Sequence, residues 1–111
     1  MPTPQPGRPV RGSTTGRPLM AALDLLGRRW TLRIIWELRD GPVGPRPLLA
    51  RCEGLSSSVL YQRLTELTRA AVIASSPAGY ELTPLGARLR EALAPLDAWS
   101  AEWAEICSDP A

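Results

Sequence analysis

A chain of 111 residues is long enough for one domain with a modest core, and its net charge of +2 comes from 13 cations, all Arg, against 11 carboxylates. It has no His, Lys, Phe or Asn, its carboxylates are scattered singly, and its two Cys lack a CxxC or His companion, so enzymatic catalysis, a metal site and a cofactor are not indicated. No apolar run approaches membrane length and the first apolar stretch follows a proline-rich polar tail, which predicts a cytoplasmic protein without a signal peptide.

Residues 1–16 are Pro, Gly, Ser, Thr and Arg with almost no apolar content, a composition that predicts a disordered arm. Within it, Gly7-Arg8-Pro9 resembles the core of an AT-hook, which inserts Arg into the minor groove of AT-rich DNA. The triplet is short and lacks the preceding Arg of a full hook. Arg8, Arg11 and Arg17 are the arm's candidate groove contacts.

Residues 17–107 read as the folded domain, with 108–111 as a tail. Pro18 suits the first turn of a helix striped by Leu19, Leu23 and Leu26 and stopped by Gly27. A second helix is expected over Arg29 to Arg39, with Trp30, Ile34, Ile35 and Leu38 inward and Asp40-Gly41-Pro42 as its stop. Trp30 and Trp36 have rings that could stack on bases or a ligand; at helical spacing in an apolar segment, core is the plainer role for Trp30. A short third helix is expected over residues 46–52, with Pro47 near its start.

Glu53-Gly54 then turns the chain into a two-faced helix. Leu60, Leu64, Leu67 and Ala71 form its apolar stripe, and Ser56 is a plausible N-cap. Ser58, Tyr61, Gln62, Thr65 and Arg69 occupy the opposite face, a mixture of donors, acceptors and one cation suited to reading base edges while touching phosphate. Any surface helix has a polar outer face, so the context decides. Two short helices joined by a Gly-containing turn are the pattern of a helix-turn-helix, whose second member enters the major groove.

Val72-Ile73-Ala74-Ser75 and Tyr80-Glu81-Leu82, joined by Ser76-Pro77-Ala78-Gly79, read as a hairpin directly after that helix, in other words a wing. Thr83-Pro84 caps the last helix, where Leu85, Leu89, Leu93, Leu96, Trp99, Trp103 and Ile106 make one seam along about 23 residues, roughly 35 Å. Pro95 should kink or split it. So long a stripe exceeds what a small domain can cover, whereas a second copy of the same helix could. The charges are also unevenly placed: residues 1–80 hold 11 Arg against five carboxylates and residues 81–111 hold two against six. A polyanion would meet the front of the chain and be repelled by the back.

In order and spacing these pieces resemble a winged helix-turn-helix regulator of the HxlR type. The residues that carry the resemblance are Ala22 to Gly27, Arg29-Trp30-Thr31-Leu32, Glu37 to Pro42, Gly54-Leu55-Ser56, Leu60 to Leu64 with Glu66-Leu67, and Tyr80 to Gly86. It implies a mainly α fold with a two-stranded β-wing, and a homodimer joined through the first and last helices by Leu19, Leu23, Leu89, Leu93, Leu96, Trp99 and Trp103. It also implies a sequence-specific transcriptional regulator of a pseudo-palindromic operator in double-stranded DNA. Base reading maps onto Ser57, Ser58, Tyr61 and Gln62 and backbone contact onto Arg29, Thr31 and Arg63, with Arg46, Thr65 and Arg69 completing the DNA-facing set. A small-molecule effector beside Trp99 and Trp103 is compatible with this. The reading from another class is a winged helix that has lost DNA binding and docks a partner through its Leu/Trp seam.

Four departures from the family pattern stand out. Arg17 occupies the place of a Cys that oxidant-sensing members have before the first helix, so a thiol switch is not expected. Gly44-Pro45 replaces a common Arg-Phe, Ala71 replaces the usual Gly at the end of the recognition helix, and the wing is a short hairpin without a cation.

Overall fold

The computed structural model describes residues 3–108; the first two residues of the expected arm and residues 109–111 of the expected tail lie outside them. Five helices and one hairpin follow in the order α1 (Pro18–Leu26), α2 (Thr31–Glu37), α3 (Pro45–Arg51), α4 (Ser57–Arg69), β1 (Ile73–Ser76), β2 (Gly79–Leu82) and α5 (Pro84–Cys107). This is the winged helix-turn-helix the sequence predicts. Among the described residues, no helix is long and apolar enough to cross a membrane.

The core lies where α2, α3 and α4 meet the hairpin. Ile34 and Leu38, Leu48, Leu60, Leu64 and Leu67, and Ile73 are fully enclosed there. Burying each such side chain contributes about 1.5–3 kcal/mol relative to exposure. Trp30 packs against this core as expected, although not from inside a helix. It sits just before α2 at φ 74°, so α2 begins two residues later than its apolar pattern suggests. Conversely, α3 begins at Pro45, whose missing N–H costs nothing in a first turn.

Two capping motifs hold α4 in place. The Ser56 hydroxyl accepts from the Val59 N–H at 3.3 Å. At the far end, the Val72 N–H donates to the Leu67 carbonyl and the Ala71 N–H to that of Thr68, both at 3.0 Å, which is a Schellman closure with Ala71 at φ 64°. The wing pairs Ile73 with Leu82 through Ser76 with Gly79. A third segment, missed in the sequence, joins it: Val43 and Tyr80 exchange two backbone hydrogen bonds at 2.9 Å. Val43 stands alone among Gly and Pro, so no alternation announced it. Gly79 allows the approach, since a Cβ there would lie 2.5 Å from the Val43 carbonyl carbon.

Helix α5 is anchored at its start and then departs. The Thr83 hydroxyl accepts from the Gly86 N–H at 3.0 Å and donates to the Ala71 carbonyl at 2.6 Å. Gly86 sits so close to Val72 that a Cβ would fall 2.1 Å from its carbonyl oxygen. Beyond this the helix runs unbroken past Pro95, which does not split it.

Residues 3–16 follow a closed path instead of trailing free. The Gly7 N–H donates to the Gly16 carbonyl at 2.9 Å, Val10 and Ser13 form a two-residue bridge, and the Arg11 N–H donates to the Asp24 carboxylate at 3.2 Å. Gly7-Arg8-Pro9 belongs to this closure and is not an extended, hook-like strand. Composition counts apolar burial and overlooks turns made by backbone hydrogen bonds at glycines with positive φ, here Gly7, Gly12 and Gly16.

Candidate nucleic-acid interface

The outward face of α4 is built by its inward one. Leu60, Leu64 and Leu67 are at most 1% exposed, which fixes the rotation of the helix and leaves Ser57, Ser58, Tyr61, Gln62, Thr65 and Arg69 in solvent. Gly54, at φ 93°, makes the sharp turn between α3 and α4. The Thr65 hydroxyl donates to the Tyr61 carbonyl at 2.9 Å, so toward a ligand it can only accept. Arg29 and Arg46 are exposed on the flanking segments. Among the described residues, Arg29, Arg46 and Arg69 have no carboxylate within ion-pair distance, leaving their charge available to a phosphate.

Two expected DNA contacts turn out to face inward. Thr31 is 1% exposed at the first position of α2, and among the described residues its hydroxyl has no hydrogen-bond partner. Arg63 lies only 14% exposed along its side chain, donating from Nε to the Arg29 carbonyl at 2.7 Å and from a terminal nitrogen to Glu66 at 2.8 Å. Glu66 also pairs with Arg28, so one buried carboxylate is gripped by two guanidinium groups from different segments. This Arg28–Glu66–Arg63 triad ties the α1–α2 loop to the recognition helix and thereby sets where Arg29 projects. The Arg63–Glu66 half is visible as an i, i+3 pair. Its other half links residues 38 apart, beyond any local pattern.

The apolar surfaces expected to join two copies are open. Leu19 and Leu23 on α1 are more than half exposed, and on α5 Leu96, Trp99, Trp103 and Ile106 are 49%, 54%, 55% and 69% exposed. Trp99 and Trp103 stack with ring centroids 5.5 Å apart. Leu89 and Leu93 are half-buried: Leu89 packs on the chain's own core, and Leu93 lines a groove with Leu32, Ile35 and Trp36. Arg39 covers the Trp36 ring at 4.0 Å, so that ring is engaged from one side.

Neither thiol is placed as a reactive centre beside α4. Cys52 is buried, and burial pushes its thiol pKa up, an effect that Arg33 opposes and Glu37 reinforces. Cys107 is exposed at the far end of α5.

Comparison with known proteins agrees with this geometry. Residues 25–107 match the model of the HxlR-like helix-turn-helix family. An HTH-type transcriptional regulator of Bacillus subtilis, YvaP, itself uncharacterised, is 33% identical over 89 residues, covering 74% of this chain and 82% of that protein. The HTH-type transcriptional regulator YodB of the same organism is 30% identical over 101 residues, covering 85% and 90%. The crystal structure of quinone-bound YodB superposes with a TM-score of 0.72 at 29% identity, over 77% of this chain and 97% of that one.

Proposed function

The chain belongs to the HxlR-like helix-turn-helix family of transcriptional regulators, and from that premise we propose that it binds a pseudo-palindromic operator in the cytoplasm as a sequence-specific homodimer. The observation that carries this reading is the exposed face of α4, where Ser57, Ser58, Tyr61 and Gln62 stand together in solvent above a stripe of wholly buried leucines. Such side chains can exchange hydrogen bonds with base edges, while Arg29, Arg46 and Arg69 supply phosphate contacts around them. Dimerisation is supported by the apolar surface left open on α1 and α5, at Leu19, Leu23, Leu96, Trp99 and Trp103, and α5 lies within residues 81–111, where carboxylates outnumber arginines. Two copies joined there would present two recognition helices to successive major grooves. A small planar effector, of the class bound to YodB in its solved complex, would act beside the stacked Trp99 and Trp103, and without a thiol switch.

Selection of bound duplexes from a random pool by the full chain tests this. Two inverted half-sites spaced by about one helical turn are the expected product. Gln62→Ala should weaken discrimination at one base pair of each half-site by about 1–3 kcal/mol. A pool that never enriches would overturn the assignment.

A further inference from the structure

The arm, α1, the α1–α2 loop and α4 enclose a cleft of about 510 Å³ whose wall includes Arg11, Asp24, Arg28, Arg29, Gln62 and Arg63. Its charges divide into two sets. Arg28 and Arg63 are committed to Glu66 within the protein. Arg11 and Arg29 are exposed and, among the described residues, have no carboxylate within ion-pair distance. Asp24 accepts from the Arg11 main-chain N–H at 3.2 Å, which pins the loop, while among the described residues no carboxylate lies within ion-pair distance of the Arg11 guanidinium. On the opposite side, Arg63 holds the Arg29 carbonyl at 2.7 Å, fixing that backbone against α4. Two guanidinium groups without an ion-pair partner among the described residues thus project from tethered backbones, Arg11 held to α1 through Asp24 and Arg29 held to α4 through Arg63, with the exposed Gln62 on the same cleft.

We propose that this cleft is a phosphate site, in which Arg11 and Arg29 together grip one DNA backbone phosphate flanking the base pair that Gln62 reads. The proposal rests on the DNA-binding reading above and replaces a free minor-groove arm with a fixed contact beside the major groove. A phosphodiester fits for two reasons. Arg offers a planar fork of N–H donors matched to phosphate oxygens. In addition, a helix seated in the major groove has a sugar-phosphate backbone along each edge, and contacts there set the register of the base-reading side chains. The pinned loop also supplies a cation that the short wing, with only Glu81 charged, does not.

The test uses the full chain and a labelled duplex of random sequence, because phosphate contacts are independent of sequence. Affinity is measured from 50 to 200 mM salt for the wild type, Arg11→Gln, Arg29→Gln, Arg11→Lys and Asp24→Ala, with thermal melts confirming the fold. Each Gln variant should lower the log-log salt slope by a share of the roughly one unit that this single phosphate contact contributes, so that across this range the wild type loses up to about threefold more affinity than the variant. Arg11→Lys should keep most of the slope. Asp24→Ala should weaken binding although it removes a negative charge, because the loop is released; stronger binding by that variant would contradict the latch. Arg11→Gln with the wild-type slope overturns the proposal while leaving the DNA-binding reading intact, whereas a wild type that binds no duplex defeats both. Inorganic phosphate at constant ionic strength distinguishes the other source of this chemistry: Arg11-dependent thermal stabilisation together with an unchanged DNA slope would assign the cleft to a free anion instead.

Discussion

Helices α4 and α5 are both amphipathic, and the structure treats their apolar stripes in opposite ways. In α4 the leucines disappear entirely into the core and the polar face is presented to solvent. In α5 only Gly86 is fully buried, and the larger part of the Leu/Trp seam remains half exposed. The contrast teaches that an amphipathic pattern records which face wants to leave water, not whether the same chain provides the cover. For α4 the unmet capacity is hydrogen bonding and charge, which a polyanion with readable edges satisfies. For α5 it is apolar area, which another apolar surface satisfies. The charges sort likewise, with Arg29, Arg46 and Arg69 around α4 free of ion pairs among the described residues, and four carboxylates, Glu91, Asp97, Glu102 and Glu105, against Arg88 and Arg90 along α5.

The largest expected effect breaks the α5 side of this comparison. Leu96→Glu with Trp103→Glu places charge on the seam of each protomer, where every large side chain is worth about 1.5–3 kcal/mol on burial. Sedimentation should show monomers, or the protein should precipitate, and operator binding should be lost; a stable dimer would mean that the seam is not the interface. Next comes the foundation of the α4 side. Glu66→Ala leaves Arg28 and Arg63 without their shared buried carboxylate and should cost about 3–5 kcal/mol in a denaturant titration, because breaking a buried pair strands the remaining charges. A cost below about 1 kcal/mol would mean that the triad behaves as a surface pair. The smallest effect sharpens the contrast in the other direction. Ala71→Gly should stabilise the protein by about 1 kcal/mol, since Ala71 holds the left-handed position of the Schellman closure that glycine adopts without penalty. Unchanged stability would show that the strain is relieved in the native backbone.

Much of the candidate site was legible because its grammar is local. The period of Leu60, Leu64 and Leu67 fixed the outward face, Ser56 and Thr83 announced the caps, and the two-residue turn of Pro77-Ala78 announced the wing. Thr31 and Arg63 lie deeper in the fold than their reading as backbone contacts implies, for a shared reason. Residue type and family position marked both as backbone contacts, but neither encodes a start of α2 that puts Thr31 inside, or a carboxylate that Arg63 shares with Arg28.

By itself, then, the sequence determined the element order, the two amphipathic faces and the family pattern, since each follows from residues a few positions apart along a regular backbone. Only the tertiary structure decided which arginines are spent inside the protein and which remain for a ligand, that Val43 joins the wing, and that the arm closes back on α1. Those outcomes depend on pairings between distant segments. Their energies arise only when the fold brings the partners within hydrogen-bond reach, and no local spacing can encode that.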